Sequence, residues 1–467
     1  MKKNKKHLFP ILFFAFFVEM TSFSYAQSQA FAGIWEGVLH FGPQSLKLVF
    51  VASPSADSLT AVLDSPDQYA TDIPIDKLVI KGDTLYFDSE DIGVVYTGVR
   101  QGDSIVGKFM QRGQRRKLTL RRTTERKLFP RPQEPQEPFP YYQKELEFEY
   151  AAGKPNITGT LTLPASGTPK AVAVLISGSG WQNRDEEICG HKPFKLLADA
   201  LTRAGYAVFR YDDAPARFFQ TMTTYDFADQ VQVILDTLSQ RDDLKSVPIG
   251  LIGHSEGGMV AWIVASKSKK VDFVISLAGM GTPLRRVLLY QVMGQSVKEK
   301  LPSEQLQSNL QLSDAIYALI EKAKSAEKAR SSVRDFLEHY AENLSLEQRK
   351  ELNLTTEGIM ATCLTLGSDW YYALMTIQPE KYMAKVKCPV LALNGDRDTQ
   401  VDAVENLAAI RTAMKKNSAC TTEVLPRLNH LFQECETGYF EEYGDISQTL
   451  CPDVWEKIIS WLEEIGN

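Results

Sequence analysis

Ile249-Gly250-Leu251-Ile252-Gly253-His254-Ser255-Glu256-Gly257-Gly258-Met259-Val260-Ala261-Trp262-Ile263-Val264-Ala265 is the stretch on which the rest of the chain turns. Its first four residues read as a short buried strand, and Gly258 to Ala265 as a helix. Between them Gly253-His254-Ser255-Glu256-Gly257 spells G-x-S-x-G, a serine held on a sharp strand-to-helix turn. Glycines are needed two residues either side because side chains would collide in so tight a turn. The pentapeptide alone recurs by chance. With these flanks it marks Ser255 as a nucleophile rather than a structural turn serine.

Outward from this turn, strands and helices alternate from about Lys144 onward. Strand candidates are Val172 to Ile176, Ala207 to Tyr211, the turn strand itself, Phe273 to Leu277, Val390 to Leu393 and Thr422 to Leu425. Helical patterns fall at Leu196 to Ala204, Asp229 to Gln240 and after Ser255. Strands apolar nearly throughout, separated by helices, imply an α/β domain with a doubly wound, mostly parallel sheet covered on both faces. A helical insertion, about 281–386, breaks the rhythm. It should lie above the carboxyl ends of the strands as a cap, where ligands bind. Its Trp370, Tyr371, Tyr372 and Met375 are pocket-lining candidates, although helix packing accounts for them equally well.

Residues 27–124 have another texture. Short alternating runs such as Ile34 to Leu39, Leu46 to Phe50, Thr84 to Phe87, Val94 to Val99, Ser104 to Phe109 and Lys117 to Leu120 are separated by glycine turns. They predict a small all-β meander or barrel, a structural or docking module with no cluster suited to chemistry. Five prolines between Pro130 and Pro140 then predict an extended linker over 125–143, leaving 144–467 as the catalytic domain.

The 467 residues are too many for one ordinary core, in keeping with two domains. Lys2, Lys3, Lys5 and Lys6, the apolar run Leu8 to Val18 and the small residues Ser24 and Ala26 predict a cleaved export signal over 1–26, hence a periplasmic or secreted protein without a membrane anchor. Its removal takes the formal charge from −6 to −9, which argues against nucleic acid or an anionic membrane as partner. The six cysteines form no C-x-x-C pair, so neither a zinc knuckle nor a redox motif is indicated. In an oxidising compartment Cys435 with Cys451, or Cys388 with Cys420, are candidate disulfides, and unpaired thiols are an equal alternative.

A serine hydroxyl needs a histidine to take its proton, and that histidine needs a carboxylate to fix its tautomer. After the signal five histidines remain. His40 is in the β-module, His191 precedes the turn, His254 lies inside it, and His339 is in the cap. Only His430 follows a late strand, which makes it the general base. For the acid, Asp396, Asp398 and Asp402 all follow the preceding strand, and spacing does not choose between them. Two backbone N–H groups must form an oxyanion hole. One is that of Glu256; the other comes from Ser177-Gly178-Ser179-Gly180, at Ser179, with Gly180 as alternative.

These residues resemble the α/β-hydrolase superfamily. More narrowly, Gly253 to Gly258 resembles the elbow of bacterial secreted serine esterases. Gly33-Ile34-Trp35-Glu36-Gly37 and Leu63 to Gln68 resemble the lipocalin-like domain fused to them. Gly178-Ser179-Gly180, Arg184-Asp185-Glu186 and Gly190 to Phe194 resemble their oxyanion-loop region, and Asn429-His430 their histidine loop. In the stretch Leu393 to Val401 the resemblance puts the acid on Asp398. It implies a cofactor-free and metal-free serine carboxylesterase acting on short-acyl esters of small molecules or glycans. One departure falls after Asp212-Asp213, where Ala214-Pro215-Ala216-Arg217-Phe218 replaces the usual Arg-Gly-x-Gly-x-Ser in a loop expected to face the site.

Two rival readings stand beside this one. A peptidase of the prolyl-oligopeptidase type shares the elbow but carries a propeller far larger than this β-module. A ligand-binding protein with a vestigial hydrolase half sits poorly with a complete set of serine, histidine and acid.

Overall fold

The computed structural model describes residues 29–466, apart from 42–43, 56–57, 91, 112, 152 and 220. The segment read as an export signal lies outside the described residues. The chain divides into two compact units, with the boundary between Pro130 and Arg131.

The first unit is one antiparallel sheet of nine strands: β1 (Gly33–Phe41), β2 (Gln44–Ser55), β3 (Ser58–Ser65), β4 (Ala70–Pro74), β5 (Lys77–Lys81), β6 (Thr84–Ser89), β7 (Val94–Gln101), β8 (Ser104–Gln111) and β9 (Gln114–Thr123). Their spatial order is β4-β3-β2-β1-β9-β8-β7-β6-β5. The edge strands β4 and β5 are separated by only Ile75 and Asp76, so the sheet must curl until its two edges meet. Alternating inward residues fill the curl. Trp35, Phe50, Phe87 and Tyr96 are fully buried, with Phe50 stacked on Phe87 and Phe87 on Tyr96 at 5.2 Å. The sequence reading missed β3, β4 and β5, of which β4 and β5 are short and largely uncovered.

The second unit holds an eight-stranded sheet: β10 (Tyr141–Phe148), β11 (Ile157–Pro164), β12 (Val172–Ile176), β13 (Ala207–Tyr211), β14 (Ile249–His254), β15 (Phe273–Leu277), β16 (Val390–Gly395) and β17 (Cys420–Leu425). The order is β10-β11-β13-β12-β14-β15-β16-β17; β12 to β17 are mutually parallel, whereas β10 and β11 join antiparallel. Period-two burial explains the two covered faces. Val172, Val174 and Ile176 pack on one side with helices α3 (Thr224–Ser239) and α4 (Glu256–Ala265), while Ala173 and Leu175 pack on the other with α1 (Pro193–Arg203). The four-residue turn α2 (Ala216–Phe219) lies between α1 and α3 in the chain. Helices α5 (Leu284–Lys298), α6 (Ser303–Lys322), α7 (Ala326–Glu342), α8 (Leu346–Glu351), α9 (Thr356–Leu366), α10 (Asp369–Thr376) and α11 (Pro379–Met383) make up the insertion. The chain closes with α12 (Ala403–Ala413) and α13 (Pro452–Gly466). Strand order reverses between β12 and β14, so their carboxyl ends open the crevice in which such sheets bind ligands.

The boundary between the two units falls inside the proline-rich stretch read as an extended linker over 125–143. From Arg131 the stretch lies on the second unit, and β10 already begins at Tyr141. Arg131 donates to the carbonyls of Cys189 at 2.9 Å, Gly444 at 2.8 Å and Ile446 at 3.2 Å. Gln133 bonds the backbone of Thr449 and Leu450, and Glu134 pairs with Lys192 and Lys195. These are polar anchors, which proline counting does not reveal.

All six cysteines are free thiols, so neither candidate disulfide forms. Cys435 Sγ contacts the Arg427 carbonyl and Cys420 Sγ lies 3.8 Å from Met414 Sδ. Among the described residues no helix is long and apolar enough to cross a membrane.

His191, beside the Arg131 anchor, is fully buried. Burial, reinforced by the Arg131 charge, pushes its pKa down from 6.5 to about 4. Between those values the unfolded imidazole holds a proton that the folded one does not, so stability rises with pH and is lost on acidification through that window. The loss approaches about 3 kcal/mol. Urea unfolding near neutral pH and near pH 4.5 should show a steeper decline for wild type than for His191→Gln; equal declines would remove His191 as the cause.

Candidate active site

Ser255 sits at the carboxyl end of β14 with φ 53° and ψ −117°, a conformation that non-glycine residues adopt only under constraint. The constraint is visible in its neighbours. A Cβ on Gly253 would lie 2.1 Å from the Gly257 carbonyl oxygen, and one on Gly257 would lie 2.1 Å from that of Ile176. The turn is pressed against β12, and the Ser255 N–H donates to the Leu277 carbonyl at 2.9 Å.

Ser255 and His430 line the same cavity, of about 500 Å³. His430 Nδ1 lies 2.7 Å from Asp398 Oδ2, and both residues are buried. The other Asp398 oxygen accepts the N–H groups of Gln400 and Val401 at 2.7 and 2.8 Å, so the carboxylate is held before it meets the ring. Its two competitors are spent elsewhere. Asp396 accepts the Arg427 N–H, and Asp402 caps α12 through the Glu405 N–H, each at 2.6 Å.

Gly178 and Ser179, from the loop after β12, also line the cavity. The N–H of Glu256, first residue of α4, has no partner within its helix. Its side chain turns away into a buried cluster. The carboxylate accepts Ser179 Oγ–H at 2.8 Å, Thr224 Oγ1–H at 2.7 Å and the Trp370 indole N–H at 3.0 Å. Burial raises the Glu256 pKa, and these three donors oppose the rise. Sequence reading assigned Glu256 for its backbone alone and missed this cluster, whose four members lie on four distant segments.

The insertion covers the cavity. Leu284, Val287 and Leu288 of α5 and Leu374 of α10 give it an apolar wall, with Trp370 and Tyr371 beside them. Tyr372 and Met375 do not contribute: Tyr372 donates to the Ala323 carbonyl, and Met375 is buried in the core. Tyr290 and Gln291 tie the cap to the acid loop through the carbonyls of Asp398 and Gln400, at 2.9 and 3.0 Å. Gln182, Glu186, Glu187 and Gln400 give the cavity a polar wall. The divergent loop after Asp213 was expected to face the site. None of Asp212 to Pro215, Phe218 and Phe219 lines the cavity; Asp213 and Ala214 instead hold Gln182 and Trp181, which do. Burial pushes the Asp213 carboxyl up to about 7.

A roomier groove of about 810 Å³ opens at the amino ends of the parallel strands, around Lys170, Pro248, Asp272 and Pro389. Among the described residues that line it there is no serine, cysteine or histidine, and no chemistry is assigned to it. Among the described residues no group of three or more His, Cys, Asp or Glu side chains is placed to hold a metal.

An elbow serine at the switch point of a mixed sheet, acid and histidine on later loops, and a helical insertion above them define an α/β-hydrolase fold. Residues 190–436 match the family described as "Serine aminopeptidase, S33", over more than half of the chain, and the protein belongs to that family. Esterase EstD of Thermotoga maritima is 28% identical over 212 residues, covering 44% of this chain and 45% of that protein. The chain thus matches less than half the length of that curated relative. Among solved structures, the Pyrococcus furiosus esterase Pf2001 is similar at 13% identity and a TM-score of 0.41, covering 70% of this chain and 92% of that one. Est1E from Butyrivibrio proteoclasticus is similar at 14% identity and a TM-score of 0.38, covering 69% and 98%.

Proposed function

We propose that this protein is a serine carboxylesterase working through an acyl-enzyme, with Ser255, His430 and Asp398 as its triad. The observation that carries the reading is the 2.7 Å contact of Asp398 with His430, which lines the same cavity as the strained Ser255. A carboxylate on Nδ1 leaves Nε2 as the ring atom that receives the serine proton. Ser255 Oγ then adds to the ester carbonyl, and the N–H groups of Glu256 and Ser179 stabilise the oxyanion. His430 passes its proton to the leaving alcohol, and water, activated by the same ring, releases the acid.

The apolar wall suits an aliphatic acyl group, and the polar wall suits the alcohol part of a small-molecule or glycan ester. Residues 1–26 serve as an export signal in this reading, and the enzyme acts outside the cytoplasm. Asp398→Asn keeps the shape but favours the wrong tautomer, so kcat should fall about 10⁴-fold with little change in KM. Steady-state kinetics on p-nitrophenyl butyrate test this.

The description of the matched family favours a second reading, an aminopeptidase. The full chain assayed on p-nitrophenyl acetate and butyrate beside aminoacyl and dipeptidyl p-nitroanilides separates the two. Faster cleavage of the amides would overturn the esterase assignment.

A further inference from the structure

The mechanism above leaves one buried ionisable pair unused. Glu186 and His254 are 1% and 5% exposed. Glu186 Oε1 accepts the Gly178 N–H at 2.7 Å and faces His254 Nδ1 at 2.8 Å. His254 Nε2 lies 3.0 Å from the carbonyl oxygen of His430. A carbonyl oxygen can only accept, so Nε2 carries a hydrogen. Against an ionised Glu186, which can only accept, the facing Nδ1 is a donor as well, and His254 is then an imidazolium held against a carboxylate. Burial works against that charge, but the Glu186 carboxylate outweighs it, and the His254 pKa is raised.

We propose that Glu186 and His254 are a positioning pair that fixes the His430 backbone, and thereby its ring, relative to Ser255, while the same carboxylate oxygen pins the loop carrying the oxyanion donor. The inference rests on the reading of Ser255 and His430 as the reacting couple. Three loops meet on one pair of side chains: the one after β12 through Gly178, the elbow through His254, and the one after β17 through the His430 carbonyl. The His254 and His430 rings lie 4.8 Å apart, so a shift of one displaces the other.

Glu186 is itself placed with care. Its own φ is +51°, a strained value for this residue. Its neighbours clamp it: Arg184 forks onto Asp212, with Nη2 at 2.6 Å, and Asp185 pairs with the buried Arg210. Each member of Arg184-Asp185-Glu186 thus has a separate task, and only the last reaches the site. Neither Glu186 nor His254 gains or loses a proton during turnover. Both ring nitrogens of His254 and the Oε1 atom of Glu186 are engaged within the protein, so through these contacts the pair contributes orientation.

The test uses the full chain labelled with ¹⁵N-histidine. In wild type near neutral pH, long-range ¹H–¹⁵N spectra should show His254 doubly protonated; in Glu186→Gln it should be neutral. Glu186→Gln and His254→Gln should each lower kcat about 10- to 100-fold with KM within about twofold, the scale of a small misplacement of a reacting group. The double variant should be no worse than the poorer single one. Inactivation of Ser255 by a fluorophosphonate should slow in parallel. If Glu186→Gln does not fold, the wild-type spectrum and His254→Gln decide. A neutral His254 in wild type, or variants with undiminished kcat and labelling, overturns the proposal. A protein that labels at Ser255 yet hydrolyses no ester sinks the esterase reading, and the labelling rates still judge the pair. No labelling at all sinks both.

Discussion

Replacing Ser255 by alanine should lower kcat for ester hydrolysis by about 10⁶-fold, equivalent to roughly 8 kcal/mol of transition-state stabilisation. On the proposed mechanism the loss is this large because the acyl-enzyme route disappears as a whole. The proposed oxyanion donors and the cavity would remain, and they alone would sustain about 10³-fold catalysis over water. Melting should hardly move, since alanine occupies the same φ of 53° and ψ of −117° at a similar backbone cost. Burst kinetics and a melting curve on the same preparation check both halves. Substantial turnover in pure Ser255→Ala would show that another residue attacks the ester.

The second large effect concerns folding. Gly257→Ala places a methyl 2.1 Å from the Ile176 carbonyl oxygen and 2.7 Å from that of Ser177. Both are backbone atoms at the end of a central strand, and neither can yield as a flexible side chain would. The elbow must lift from β12, which separates the serine from the loop after that strand. We expect a destabilisation of roughly 4 kcal/mol, about 10 °C in melting temperature, together with loss of fluorophosphonate labelling. Melting within 2 °C of wild type with full labelling would contradict the close approach.

Much of this architecture could be read from local pattern. The elbow carries its own signature, because its geometry demands glycine at two set positions and a strand and helix around them. The central strands were legible because both faces are covered, which makes them apolar throughout. His430 was reachable by elimination, since histidines are few and only one follows a late strand. Asp398 was different. Three aspartates share its loop and composition does not choose between them; the resemblance pointed to Asp398, and that is the one whose carboxylate meets the His430 ring.

The remainder was hidden by chain separation. Glu186 meets His254 across 68 residues, and Trp370 meets Glu256 across 114. No periodicity reports such pairs. Strand β10 was missed because it is largely exposed, and β11, although buried, because threonines interrupt its apolar residues; neither has the unbroken apolar run of its neighbours. The contacts of the proline-rich stretch were hidden for a related reason. Proline content predicts an extended backbone, which is observed, but says nothing of what that backbone touches.

Arg131 ties together carbonyls on two segments, 189–190 and 444–446, the second of which follows the histidine loop. Anyone trimming the gene to obtain an autonomous enzyme would be tempted to start at the first strand, Tyr141. That cut discards a brace some ten residues long and leaves four main-chain acceptors without their shared donor. The smallest self-sufficient version of the catalytic half therefore begins upstream of Arg131, and mutations in this unassuming stretch should weaken the enzyme as though they struck its core.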